Sequence, residues 1–305
     1  MRLATILLVS TTLAGCEVNL NTEGLSAREL KTFKVTGQAE LSLNTFDGAI
    51  ELHSWDKNEI EVEIEKRAME QALLDEIKVE SQQQGDKIVI KVTGPARGDR
   101  HGVTIGMHIS PTARLRVAVP RNVNITAISS DGAIRAEAIE GRIVLNTTDG
   151  SVTGLRLGGD VQIRSGDGSI RIDDATGKFD LETTDDTIRI EGKPSVLRAR
   201  TGDGSIRANI QPDTVMADNW ELTTSDGSIN VALPGLFNVE LDAETSDGTV
   251  NANHPLIEDD NREQRRDGED RDERRERRRS LRAKLGDGGK MFRIRTGDGS
   301  IRIER

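Results

Sequence analysis

The chain has 305 residues, a formal charge of −10, 2 % aromatic residues and no tyrosine. The acidic balance argues against a nucleic-acid partner, which needs a basic surface to displace counterions. The scarcity of aromatic bulk argues against a large globular core and points to a thin one built from Ile, Val, Leu and Ala.

Residues 1–15 read as a lipoprotein signal peptide. Met1 and Arg2 form a short positive start, and Leu3–Leu13 is an apolar run too short to span a bilayer comfortably. Leu13-Ala14-Gly15-Cys16 resembles a bacterial lipobox, in which the cysteine sulfur takes a diacylglycerol before cleavage. Cys16 is the single cysteine of the sequence, so an internal disulfide is excluded. Lipidation explains both its position and its solitude, and acyl chains anchor with roughly 0.8 kcal/mol per buried methylene. Glu17 is not the aspartate that resembles an inner-membrane retention signal. The expected location is the cell envelope, lipid-anchored to a membrane through Cys16, with the outer membrane favoured where the host has two.

Residues 16–40 are polar and aperiodic and read as a tether to a single β-strand repeat domain over 41–305. Ile60, Val62 and Ile64 alternate as a strand. Ala68–Ile77 reads as a short helix or an ordered loop. Strand alternation returns at Ile77–Val79 and Ile88–Val92, around Gly85-Asp86. Glycines and prolines between 93 and 113 mark a long loop or irregular hairpin. Leu115–Val119 leads through Pro120 into a regular array, and Val231–Pro234 does the same before a later repeat. Residues 258–279 hold ten acids and nine bases without an apolar residue and read as a solvated surface protrusion. Ser280–Leu285 reads as a strand and Gly286–Gly289 as a turn before the last repeat.

An Asp-Gly dipeptide recurs in one context at Asp47-Gly48, Asp131-Gly132, Asp149-Gly150, Asp167-Gly168, Asp203-Gly204, Asp226-Gly227, Asp247-Gly248 and Asp298-Gly299. Asp185-Asp186 is a degenerate copy. From Asp131 to Asp203 the step is 18 residues, and the later steps are 23, 21 and 51. Thr or Ser stands two before each Asp, from Thr45 to Thr296. Ile or Val stands three after it, as in Val152, Ile170, Ile188 and Ile206. Apolar residues alternate with polar ones on both sides, as in Ile143 and Leu145, Phe179 and Leu181, Trp220 and Leu222. That is the period of strands with one buried face.

Each unit is then a strand, an Asp-Gly turn, a strand and a second turn marked by Gly141, Gly158-Gly159, Gly177 or Gly192. Two short strands cannot bury a face alone, so the units stack, about 4.8 Å per coil. The constant 18-residue period favours parallel stacking into an all-β solenoid. An antiparallel meander of hairpins is the alternative. In the stack the Thr/Ser hydroxyl lies at the inner corner, the Gly supplies a positive φ, and the Asp accepts from turn N–H groups. Arg135, Arg171, Arg189, Arg207 and Arg302, four after the Asp, form an outward basic stripe beside the carboxylates.

The repeated carboxylates are dictated by a turn and offer no pair in unlike environments for glycoside hydrolysis. His53, His101, His108 and His254 are scattered without metal-ligand spacing. No catalytic residue, metal or cofactor is expected. Trp55 is the candidate ligand contact, because carbohydrate stacks on exposed indoles, whereas Trp220 has inward parity. The expected function is a non-enzymatic module that binds or scaffolds an envelope protein or polysaccharide. The alternatives are a polysaccharide-acting β-solenoid enzyme and a cation-binding structural repeat protein.

The arrays TGDGSIRI, TSDGSI and TTDGSV, the lead-ins VAVP and ALPG, the opening FDGAIELHSWDKNEIEVEIEKRA and the tail RRSLRAKLGDGGKMFRIRTGDGSIRI together resemble one bacterial family. It is the "putative adhesin" family, a domain of unknown function with β-strand repeats. The resemblance covers about Asn44 to Ile303. It implies a right-handed β-solenoid-like fold in cell-envelope or secreted proteins, with no assigned catalytic residues. The 258–279 insertion is longer than the pattern of that family.

Overall fold

The computed structural model describes residues 18–21, 24–95, 110–255 and 279–305. Cys16 with the rest of the signal segment, the centre of the 93–113 loop and the charged insertion before Arg279 lie outside the described residues. The chain is all-β with one short helix. The N-terminal part comprises β1 (Val18–Asn21), β2 (Gly24–Lys34), β3 (Ala39–Thr45), β4 (Ile50–Trp55), β5 (Glu59–Ala68), α1 (Gln71–Glu76), β6 (Lys78–Gln84), β7 (Lys87–Thr93) and β8 (Thr112–Pro120). The array continues with β9 (Val123–Ser129), β10 (Ile134–Glu137), β11 (Glu140–Thr147), β12 (Val152–Leu155), β13 (Gly158–Ser165), β14 (Ile170–Thr183), β15 (Ile188–Thr201), β16 (Ile206–Ile210), β17 (Trp220–Thr224) and β18 (Ile229–Ala232). It ends with β19 (Val239–Thr245), β20 (Val250–Asn253), β21 (Ser280–Leu285), β22 (Met291–Thr296) and β23 (Ile301–Glu304).

Strands before the Asp-Gly turns pair with one another, and so do the strands after them. The first ladder runs β6-β7-β3-β9-β11-β13-β14-β15-β17-β22-β19-β21. The second runs β1-β2-β5-β8-β4-β10-β12-β14-β15-β16-β18-β23-β20. β14 and β15 pass through the second corner and belong to both. The inward side chains of the two ladders form a single apolar cluster.

The columns of that cluster follow the repeat. Leu115, Ile50, Ile134, Val152, Ile170, Ile188, Ile206, Ile229, Ile301 and Val250 stand opposite one another in successive strands. All but Val250 are buried, and each buried aliphatic side chain contributes roughly 1.5–3 kcal/mol. Trp220 also points inward, as its parity requires. It packs against Phe237 and Phe292, with ring centroids 5.7 and 5.4 Å away, and its indole N–H donates to the Ser195 carbonyl at 3.2 Å. Leu74 of α1 and Ile77 after it are buried at the N-terminal end of the stack, where α1 contacts β2 and β5.

Three expectations change. The sheet is mixed and not uniformly parallel: the centre pairs in parallel, while β6, β5, β2, β1 and β21 pair antiparallel. A parallel stack leaves a bare strand edge at each end, and reversing strands cover those edges. The hairpin meander does not hold in the centre, where Val152, Ile170 and Ile188 are parallel partners.

The tether is also shorter than residues 16–40. Gly24–Lys34 is β2, paired along its length with β5, because Leu25, Ala27 and Phe33 give it an apolar face that packs on the core.

Coil order finally departs from chain order at both ends. The Asp47 coil lies between β7–β8 and the Asp131 coil, and the Asp298 coil lies between the Asp226 and Asp247 coils. The period cannot set this order, because every coil presents the same inner columns.

Candidate functional site

The nine Thr and Ser residues of the repeat form one buried column, in the spatial order Thr45, Ser129, Thr147, Ser165, Thr183, Thr201, Thr224, Thr296 and Thr245. Their hydroxyls form a relay. In the Asp149 turn, the Gly150 N–H donates to Thr147 Oγ1 at 3.1 Å, and that hydroxyl donates to the Gly132 carbonyl of the neighbouring coil at 3.1 Å. The same pair of bonds recurs at the Asp131, Asp167, Asp203, Asp226 and Asp298 turns, at 2.8–3.2 Å. Val92 occupies this column next to Thr45, in the coil whose corner carries no Asp-Gly. The hydroxyl therefore goes with the turn.

The turn glycine answers a different need from the one expected. Gly48 has φ 124°, but Gly132, Gly150, Gly168, Gly204, Gly227, Gly248 and Gly299 do not have a positive φ. A Cβ on any of those seven would fall on the main-chain carbonyl oxygen of the adjacent turn. Close stacking selects glycine there. Positive φ occurs instead at the second corner, in Gly141, Gly159 and Gly177 and also in Ala138, Arg156 and Asp174.

The aspartates stand on the outer side of the corner and are exposed at Asp131, Asp149, Asp167, Asp203, Asp226, Asp247 and Asp298. Their expected role as acceptors within the turn is not seen at Asp149, Asp167, Asp203, Asp226 and Asp298 among the described residues. The local N–H groups are already engaged by the stack: Asp149 N donates to the Ser130 carbonyl at 3.1 Å and Asp167 N to the Thr148 carbonyl at 3.0 Å. In the degenerate copy Asp186, which stands in the glycine position, accepts from the Thr187 N–H at 2.5 Å.

The basic stripe is present, with Arg171, Arg189 and Arg207 as direct neighbours and Arg135 and Arg302 further along. Two of its arginines meet acids two residues on in the same strand. Arg171 meets Asp173 at 2.7 Å and Arg135 meets Glu137 at 3.9 Å. On the other ladder opposite charges face one another across strands, as in Arg164 with Glu182 at 3.1 Å and Arg295 with Glu244 at 3.4 Å.

Trp55 is half-buried. Its indole N–H donates to the Glu59 carbonyl at 2.8 Å, and the Lys57 ammonium lies 4.2 Å from its ring centroid. His254 is buried with Nε2 3.0 Å from the Pro234 carbonyl, and His53 is exposed. His101 and His108 lie outside the described residues.

Glu65 and Asp242 are held below the ordinary carboxylate range. Burial pushes both upward, and arginines outweigh it. For Glu65 these are Arg67, bonded at 2.7 Å, then Arg28 and Arg116; for Asp242 they are Arg295, bonded at 2.5 Å, then Arg282 and Arg293. Glu65 ties β5 to β2 and β8, and Asp242 ties β19 to β21 and β22. Both clusters therefore fasten capping strands at opposite ends of the stack.

An open hollow of about 570 Å³ lies between loops 211–219 and 233–238. Val215 and Leu236 flank it, 78 % and 88 % exposed. Sequence reasoning missed this pair, although the steps of 23 and 21 residues mark both loops. Among the described residues no three His, Cys, Asp or Glu gather as a metal-holding group, and no helix is long and apolar enough to cross a membrane.

Residues 17–304 match the family model described as Toastrack DUF4097. No curated protein matches the chain significantly. Among solved structures, the chain is similar to a "putative cell adhesion protein" from Clostridium sporogenes, at 13 % identity over 92 % of this chain and 99 % of that one, with a TM-score of 0.28. It is similar to a "putative adhesin" from Bacteroides fragilis, at 10 % identity over 90 % and 96 %, with a TM-score of 0.43. It is also similar to a "putative lipid binding protein" from Parabacteroides distasonis, at 12 % identity over 91 % and 97 %, with a TM-score of 0.32. None of these likenesses bears on function. By the match along almost its whole length, the chain belongs to the Toastrack DUF4097 family.

Proposed function

We propose that the protein is a non-catalytic module of the cell envelope, anchored by lipid on Cys16 and favouring the outer membrane where there are two. Its coils form a right-handed β-solenoid-like scaffold that binds an envelope protein or polysaccharide. The hydroxyl relay carries this reading. The repeated Thr/Ser and Gly residues are used inside the turns, so two long outer faces and the irregular loops are what the molecule offers to a partner. An enzyme acting on polysaccharide needs a general acid with a raised pKa. Among the described residues the two shifted carboxylates, Glu65 and Asp242, move the other way. One turn aspartate per coil also falls short of the roughly six to eight oxygens that calcium takes, which supports a structural ladder over cation binding.

Growth with an alkyne-tagged fatty acid tests the anchor: the chain should be labelled, and Cys16→Ser should remove the label. Equal labelling of both forms would exclude lipidation at Cys16. Binding is tested by passing envelope fractions over the purified mature chain. Capture of one protein or polysaccharide, weakened by Leu236→Asp or Trp55→Ala, is the expected result. Recovery of nothing from any envelope fraction would contradict a binding role.

A further inference from the structure

We infer that Asp247-Gly248 is a site of spontaneous backbone modification, the one of the described Asp-Gly turns at which succinimide and isoaspartate form first. Among Asp-X dipeptides Asp-Gly is the most prone to this reaction, because glycine puts no side chain in the way of attack, and the sequence holds no Asn-Gly. The Gly nitrogen attacks the Asp Cγ, a C–N bond forms, and water leaves with the amide proton and the carboxyl oxygen. Water then reopens the five-membered ring. Cleavage at the Cγ carbonyl restores aspartate, and cleavage at the α-carbonyl gives isoaspartate. No oxidant or reductant takes part.

The nucleophile of this reaction is the N–H that the relay holds. In six turns the Gly N–H is bonded to the Thr or Ser hydroxyl: Gly132, Gly150, Gly168, Gly204, Gly227 and Gly299. The Gly248 N–H has no such bond among the described residues. Those six glycines are buried, whereas Gly248 is half-exposed and the Asp247 side chain is 81 % exposed. Each of the six turns is also stacked between two others. Among the described residues the Asp247 turn is stacked on one side, where Thr245 donates to the Gly299 carbonyl at 2.8 Å, and its carboxylate meets only the half-exposed Arg279, at 3.3 Å. Gly48 likewise lacks the relay bond, but its carbonyl is held by Ser129 at 3.0 Å and its coil is covered on both sides. Gly288 N–H is held by the Leu285 carbonyl at 3.0 Å. Asp267-Gly268 lies outside the described residues.

The product has a structural consequence. Isoaspartate lengthens the main chain by one carbon, just before Thr249, whose carbonyl accepts the Ile301 N–H at 2.9 Å. The register of β20 on β23, Val250 opposite Ile301, would be lost. Ageing at this turn would thus release β20, the edge strand of the second ladder.

The test is incubation of the purified chain at neutral pH for weeks, followed by digestion and electron-transfer fragmentation to locate isoaspartate. Asp226 is the internal control, since Ser-Asp-Gly-Ser around it nearly matches Ser-Asp-Gly-Thr around Asp247. Isoaspartate at Asp247 is expected to exceed that at Asp226 by about tenfold or more, as local opening differs between the two turns. In denaturant the two rates should converge. Thr224→Val, which removes the relay at Asp226, should raise the Asp226 rate. Equal rates at Asp226 and Asp247 in the folded chain would overturn the inference, as would a Thr224→Val chain that folds and leaves Asp226 unchanged.

Discussion

Replacing Thr147 by Val keeps the shape of the side chain and removes only the hydroxyl. Two buried bonds disappear: the Gly150 N–H loses its acceptor and the Gly132 carbonyl loses its donor, both at 3.1 Å. The core on that side is sealed by Leu145 and Val152, so water cannot replace the hydroxyl easily. A buried polar group left without a partner costs about 1–3 kcal/mol, and two such groups give an expected loss of about 2–6 kcal/mol. Thr147→Ser is the control, because it keeps the hydroxyl and removes one methyl, a loss of about 1 kcal/mol. Ser already occupies the column at Ser129 and Ser165. Urea unfolding of the two variants gives the difference in midpoint at constant slope, and hydrogen exchange at Gly150 gives the local effect. If Thr147→Val unfolds at the wild-type midpoint, or loses less than Thr147→Ser, the relay contributes nothing and the explanation of the motif is wrong.

Gly168→Ala sets a Cβ onto the Gly150 carbonyl oxygen and should destabilise by about 3 kcal/mol through overpacking; a thermal melt within error of wild type would show that the coils are not so closely stacked. Ala138→Gly should do the opposite. Ala138 sits at φ 57°, where an L-residue is strained by about 1–2 kcal/mol, and relief less the glycine entropy cost should leave a gain of about 0.5–1 kcal/mol, read from the urea midpoint. Asp242 should make the C-terminal cap sensitive to acid. Its folded pKa lies below the unfolded value, so its contribution is complete above the ordinary aspartate value of about 3.9 and is lost as pH falls through the depressed folded value. Melts across that window should fall steeply for wild type and less steeply for Asp242→Asn; parallel curves would exclude Asp242 as the group responsible.

What the sequence reveals is whatever repeats locally. Alternation assigns Ile143, Leu145, Val152 and Trp220 to the interior, and the inward parity of the Thr/Ser position is met by the buried column. Three things are not legible, each for a physical reason. Glycine looks the same whether it is chosen for a positive φ, as at Gly141, or for lack of a Cβ against a neighbouring carbonyl, as at Gly150. β2 was hidden because its apolar residues Leu25, Ala27 and Phe33 share the inner face with Glu29 and Lys31. Those charges pair at the margin of the core, Glu29 with Lys31 at 3.9 Å and also with Lys66, and so break the alternation. The order of the end coils depends on which of several equivalent edges a coil meets, and identical inner columns carry no address. The exposed pair Val215 and Leu236 was readable in principle, since both lie where the 18-residue period is exceeded.

The central claim is that coils stack in register, with the Asp298 coil seated between the Asp226 and Asp247 coils. Paired cysteines in a Cys16→Ser chain test it most directly. Asn230 stands opposite Arg302, and Arg302 stands opposite Asn251. Adjacent strands lie about 4.8 Å apart, within the Cα separation of roughly 4.4–6.8 Å that a disulfide spans; two strands away is about 9.6 Å and out of reach. The Asn230→Cys, Arg302→Cys pair should therefore oxidise to an internal disulfide, and the Asn230→Cys, Asn251→Cys pair should remain reduced. Ready closure between 230 and 251, with 230 and 302 left as free thiols, would mean that the coils stack in chain order and would contradict the arrangement described above.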